Sequence, residues 1–189
     1  MTVLHPAYFP NVAFFNVYTK SKDIVFELQD NYQKQTYRNR AYICTDRGKH
    51  ILSVPIIHTK GKNGRQYYKK VKLDNSYPWQ RQHWRTLETA YRTSPFFEFY
   101  EDEIRPLYKK EFDRLIEFNL ASIEIICDCL QLDLSDKFTE EYSFNHANDY
   151  RFLVNAKKEV PQDFPSMFRF LETDMGLSPT LVFWTCFST

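Results

Sequence analysis

Glycine is scarce in this chain: four among 189 residues, at Gly48, Gly61, Gly64 and Gly176. A loop that cradles phosphate on backbone N–H groups needs clustered glycines between a strand and a helix. Nothing of the kind is present, which excludes the Walker loop and the dinucleotide fingerprint as routes to nucleotide binding. Cysteine is also scarce, at Cys44, Cys127, Cys129 and Cys186. Cys127 and Cys129 are two residues apart in a predicted helix, where side chains diverge, so they suit neither a disulfide nor a metal pair. All four read as reduced, mostly buried thiols of a reducing compartment. The five histidines, His5, His50, His58, His83 and His146, lack metal-ligand spacing. There is no Gly-x-Ser-x-Gly elbow, and no two carboxylates stand out as an acid/base couple. The reading is therefore one without metal or cofactor.

Charge of one sign is lacking too. The net charge is +1, so no global field draws the chain to nucleic acid or anionic lipid. Met1 to Pro6 has neither the charged region nor the apolar run of a signal peptide. No apolar stretch approaches the ~20 residues needed to cross a bilayer. These features predict a cytoplasmic protein without a membrane span.

Aromatic residues, by contrast, are abundant: 17% of the chain, with 17 Phe and 13 Tyr. Core bulk accounts for the phenylalanines. It accounts less well for the tyrosines, because each buried phenol needs a hydrogen-bond partner. With 43% hydrophobic residues the chain can bury a sizeable core.

The pattern along the chain predicts a mixed α/β fold, a small sheet of N-terminal strands and a hairpin packed with a C-terminal helical layer. Val3 and Leu4 open a first strand. His5 to Asn11, with Pro6 and Pro10, reads as a rigid loop. Asn11 can cap a helix reaching about Lys22. Ile24 to Leu28 is a second strand. Tyr37 to Cys44 and His50 to Ile57 read as paired strands around the Gly48 turn. The alternation from Tyr67 to Leu73 predicts a third strand in that group. From Pro78 the period becomes helical, with helices to about Thr93, from Phe97 to Lys109 and from Phe112 to Leu130. Beyond Leu132 periodicity fades; a short helix from Met167 to Met175 and an apolar tail from Leu181 to Phe187 are the features there.

Three segments carry chemistry. Asn31 to Arg40 interleaves rings, amides and cations, including Tyr32, Lys34, Arg38 and Arg40. On a strand, Arg38 and Arg40 face the same way, and guanidinium forks suit carboxylate or phosphate. A solvated strand edge explains the same residues. The helix from Trp79 to Arg92 places Arg81, Arg85, Glu88 and Arg92 along one stripe, with Trp79 and His83 one turn apart. A salt-bridged surface and a packed histidine are the plain alternatives. The loop after the first strand holds Tyr8 between two prolines, at a strand end where α/β folds collect ligands; an ordinary tight crossover fits it equally.

Taken together, Pro6-Ala7-Tyr8-Phe9-Pro10, the helix through Phe14, Phe15 and Tyr18, Asn31 to Arg40, Val54-Pro55, and Trp79, His83-Trp84-Arg85, Glu88, Ala90-Tyr91 and Ser94-Pro95-Phe96-Phe97 resemble the WbqC-like protein family. The resemblance covers about Val3 to Leu132. It divides the chain into a WbqC-like α/β domain, residues 1–132, and a partly irregular C-terminal extension of the same domain, residues 133–189. It implies a bacterial protein linked to surface-polysaccharide gene clusters, and a transferase that modifies a sugar or sugar nucleotide. On that reading a small anionic ligand is held by Lys34, Arg38, Arg40 and Arg85. Tyr8, Tyr32 and Trp79 pack on it, and His83 or Glu88 handles a proton. The three segments should then share one cleft, with Arg38 or Arg40 paired to Glu88. Two other readings stay open. Lys60, Lys62, Arg65, Lys69, Lys70 and Lys72 beside Tyr67 and Tyr68 suit a nucleic-acid-binding module, disfavoured by the near-neutral charge. A non-catalytic scaffold with a degenerate site follows from the C-terminus, where Met175 and Thr185 stand at the family's histidine and helix aspartate.

Overall fold

The computed structural model describes residues 1–59, 65–94 and 96–155. Lys60, Lys62, Pro95, Gly176, Met175 and Thr185, and the helix and tail expected after Met167, lie outside the described residues. The parallel sheet has β1 (Thr2–Leu4) at its centre. It is flanked by β2 (Ile24–Phe26) and by β5 (Asn148–Asp149). Val3 pairs with Val25 on one side and with Asp149 on the other. All three residues of β1 and of β2 are buried, as expected for strands covered on both faces. The crossover from β1 to β2 is α1 (Val12–Lys20). Asn11 caps it as expected, its side-chain oxygen accepting from the Phe14 N–H at 3.0 Å.

The hairpin is a separate sheet. In it β3 (Arg40–Thr45) runs antiparallel to β4 (Gly48–Ser53). Gly48 closes the turn at φ +97°, a left-handed conformation that L side chains rarely adopt. The strand expected from Tyr37 begins only at Arg40. Asn39 binds Val54 through both its carbonyl and its side-chain amide, which holds the preceding residues in a turn. The strand expected over Tyr67 to Leu73 is instead a 3₁₀ turn, Tyr68–Lys70, flanked by isolated bridges from Tyr67, Lys72 and Leu73. Tyr68 drives this departure. Its ring is fully buried and its hydroxyl donates to the Pro6 carbonyl at 2.7 Å, which an alternating strand could not arrange.

Three helices form the other layer: α2 (Trp79–Tyr91), α3 (Phe97–Lys109) and α4 (Leu115–Leu130). Leu115 and Phe118 of α4 join a core with the hairpin, α2 and α3. Ile123, Ile126 and Cys127 join a second core with α1 and the parallel sheet. One helix is thus the spine of both. Cys127 is buried and Cys129 half-buried, but Cys44 is exposed on the hairpin, where the sequence reading had it buried. Both helical cysteines are free thiols whose acidity burial weakens, to about 11.

Candidate functional site

In α/β sheets ligands gather beyond the carboxyl ends of the strands, where successive connections leave in opposite directions. Here β1 connects to β2 on one side, and β5 returns on the other. A cleft of about 340 Å³ opens at the carboxyl ends of β1 and β5. Its polar wall is His5, directly after β1, with Asp30, Gln33, Arg38, Asp149 and Arg151; Tyr142 stands at the side.

Arg38 is only 2% exposed and His5 only 1%. The Arg38 Nη2 lies 2.7 Å from His5 Nε2 and 2.8 Å from Asp30 Oδ2. His5 Nε2 also lies 3.0 Å from Asp30 Oδ2. A guanidinium only donates, so where Nε2 accepts from Arg38 the neutral imidazole carries its proton on Nδ1. Burial, reinforced by the Arg38 charge, pushes His5 down to about 4 and keeps it neutral near pH 7. Burial alone would raise the Asp30 carboxyl. The Arg38 charge and the Asn31 N–H, which donates to Asp30 Oδ1 at 2.6 Å, outweigh that and hold it below the usual carboxylate range. Two buried donors on this wall have no partner: His5 Nδ1 and Arg38 Nε.

The second ion cluster is built around Arg151. Its Nε and Nη2 grip the Asp149 carboxylate at 2.9 and 2.6 Å, and its Nη1 reaches the fully buried Glu27 at 3.2 Å. Glu27 also accepts from the Gln29 N–H and the Thr139 hydroxyl. The fork therefore ties the end of β2 to the end of β5. Burial would raise Asp149, but Arg151 holds it below the ordinary value.

A polar core behind the cleft fixes its geometry. The Asn119 amide of α4 donates to the Arg38 carbonyl and to the Tyr68 hydroxyl, both at 2.6 Å. Ser122, one turn on, donates to the Asn119 carbonyl at 2.8 Å, with the Ala7 carbonyl 3.4 Å away. The Arg38 guanidinium lies 5.5 Å from the Tyr68 ring centre. Phe9 completes the loop with φ +43°, strained for a bulky residue.

The structure does not gather the residues singled out in the sequence into one cleft. Arg38 lines the cleft, but it sits in a turn ahead of β3 and does not share a strand face with Arg40. Its ion-pair partner is Asp30, whereas Glu88 pairs with Arg92 at 3.8 Å along the surface of α2. Arg40 is half-buried at the start of β3, and its Nε is unpartnered. Tyr32 packs against the first core; burial raises its phenol to about 12, against the opposing charges of Arg40 and Arg38. Lys34 is exposed. Tyr8, Trp79 and His83 meet inside the first core. The Tyr8 and Tyr108 hydroxyls share a hydrogen bond at 2.7 Å, and the Tyr8 hydroxyl lies 3.2 Å from His83 Nδ1, whose ring also bonds the Ser53 backbone. Burial pushes His83 down to about 4 and both phenols up. Trp79 donates to Asn75. Arg85 lines a different, shallow groove of about 300 Å³ beside the hairpin turn, with Arg47 and His50.

His5, Asp30, Glu27, Asp149 and Arg151 escaped the sequence reading. The position of His5, first after the first strand, was the available signal. Arg151 had none, because β5 is two residues long and is set by pairing with β1. No group of three or more histidine, cysteine or acidic side chains among the described residues could hold a metal ion. No helix among them is long and apolar enough to cross a membrane.

The model of the WbqC-like protein family matches residues 5–163, which takes in both ion clusters, α2 and α4. The chain belongs to the WbqC-like protein family. A curated relative, "Uncharacterized protein Rv1507c" of Mycobacterium tuberculosis (strain ATCC 25618 / H37Rv), is 24% identical over 151 residues. That alignment covers 78% of this WbqC-like chain and 62% of the relative, so the chain spans less than two thirds of the relative's length. No solved structure matches.

Proposed function

We propose that this WbqC-like chain binds a small oxygen-rich ligand, a sugar or sugar nucleotide, in the cleft between the ends of β1 and β5. The observation that carries this reading is the pair of buried, unpartnered donors, His5 Nδ1 and Arg38 Nε. Leaving such donors without acceptors costs about 1–3 kcal/mol each; both atoms are buried beneath the cleft surface, so a ligand oxygen relieves that as the wall opens to it. Carboxylates and guanidiniums alternate along the wall, so both donors and acceptors meet the ligand, as the hydroxyls of a sugar require. Asp30 and Asp149 neutralise Arg38 and Arg151, which favours a hydroxylated group in the cleft over a bare anion.

A transferase acting on that sugar, in bacterial surface-polysaccharide synthesis, is the activity that the family resemblance suggests. The cleft groups supply binding and charge stabilisation for it. His5 Nε2 already accepts from Arg38, so proton removal from a bound hydroxyl would first require that hydrogen bond to open. The nucleic-acid reading has less support, because Tyr68 is buried and only Tyr67 of the expected stacking pair is exposed.

A thermal-shift panel of free sugars, sugar phosphates and nucleotide sugars tests the proposal. At least one class should raise the melting temperature. The shift should shrink in Arg38→Lys, which keeps the charge but loses the fork. It should vanish in Gln33→Trp, a change at an exposed cleft residue that fills the space without touching the core. A panel with no stabilising member sinks the cleft reading.

A further inference from the structure

Residues 140–147 form an irregular strap that passes the mouth of the cleft. Two rings project from it. Tyr142 lines the cleft and is 40% exposed, while Phe144 is 82% exposed. Their ring centres are 5.0 Å apart at an interplanar angle of 86°, so Tyr142 braces the phenylalanine edge to face. Arg151 fixes both. Its guanidinium lies 5.0 Å from the Tyr142 ring centre, and its Nη2 donates to the Phe144 carbonyl at 3.4 Å. The cation that closes the cleft wall therefore also holds a large apolar ring in water beside it. An exposed phenylalanine forgoes the burial that would stabilise it, yet here its ring is braced by Tyr142 and its carbonyl is held by Arg151.

We infer that Phe144, braced edge to face by Tyr142, is a stacking platform for a planar heteroaromatic ring carried by the cleft's ligand, so that the ligand is a nucleoside diphosphate sugar. This rests on the cleft reading above and names the ligand's second half. The cleft, at about 340 Å³, is at the small end of ligand pockets and is walled by polar groups suited to hydroxyls. A ligand with a sugar in it and a linked base must project outward, and Phe144, packed on the cleft residue Tyr142, offers an apolar surface to it. Stacking of this kind accepts any base, because every base has a π face.

Calorimetric titrations with three kinds of probe test the inference: hexose 1-phosphates, the matching uridine diphosphate hexoses, and uridine monophosphate. The uridine diphosphate hexose should bind about tenfold more tightly than the hexose 1-phosphate. Phe144→Ala should remove that gain and leave hexose 1-phosphate binding unchanged. Phe144 is exposed, so this variant keeps the fold. Gln33→Trp should weaken both sugar-bearing probes. Equal affinity of the two, or a Phe144→Ala variant that binds both as the parent does, overturns the platform while leaving the cleft intact. Absence of binding by every probe overturns the cleft reading and the platform with it.

Discussion

Burial, with the Arg38 charge added at His5, pushes both His5 and His83 from the usual imidazole value of 6.5 to about 4. The unfolded chain takes up these protons near 6.5, and the folded protein not until about 4. Stability should therefore be flat above about pH 6.5 and fall between there and pH 4. The gap corresponds to roughly 3 kcal/mol per histidine as an upper bound. Asp30 and Asp149 act in a different window. Their carboxyls are held below the ordinary 3.8, so the stability they confer is lost only as the pH falls below that value. Urea midpoints measured from pH 7.5 to 4.5 separate the two effects. His83→Phe, which keeps an aromatic ring beside Trp79 and Tyr108, should about halve the acid slope above pH 4. A midpoint that does not move over this range would mean that neither histidine is held neutral. At Gly48, a Cβ would meet nothing within 4 Å, so only its φ of +97° opposes substitution. Gly48→Ala should cost roughly 1–2 kcal/mol in the same assay, purely through the backbone.

At the scale of elements, helix α4 shows why part of the fold is legible in its sequence and part of the site is not. Its apolar positions recur on a broad face, and that periodicity alone predicts a long buried helix ending at Leu130, as found. Likewise Asn11, Gly48 and the two prolines flanking Tyr8 announce their own local geometry. Asn119 and Ser122 interrupt the same apolar face, and their meaning depends on carbonyls 81 and 115 residues away. No local pattern reports such a partner. Glu27 with Arg151 is of the same kind, 124 residues apart: the pairing is made by the parallel sheet, and β5 is too short to show a period. The tyrosine count did carry information, since Tyr8, Tyr68 and Tyr108 each bury a phenol with a partner. A substitution at Asn119 tests this account. Asn119→Leu makes the helix face wholly apolar, so burial alone predicts a more stable protein. Loss of the hydrogen bonds to Arg38 and Tyr68 predicts a loss of about 1–3 kcal/mol instead. Chemical denaturation decides between the two signs.

Across the whole molecule, two cores meet along one helix. Trp79 and Trp84 lie in the core shared by the hairpin, α2 and α3, and Ile123 lies in the core shared by α1 and the parallel sheet. The cleft lies where the two meet, since His5 follows β1 while Arg38 leads into the hairpin. Its geometry should therefore depend on both cores folding as a unit. Two-state unfolding would follow if α4 transmits the loss of either core to the other. Ile123 is fully buried, and Ile123→Ala should cost about 2–5 kcal/mol. In a Trp184→Phe background, tryptophan fluorescence reports only Trp79 and Trp84, on the far side of α4 from the substitution. The Ile123→Ala change should shift the fluorescence midpoint as much as the far-ultraviolet circular dichroism midpoint. If the dichroism moves and the fluorescence does not, the cores unfold independently, and α4 joins two units in place of supporting one.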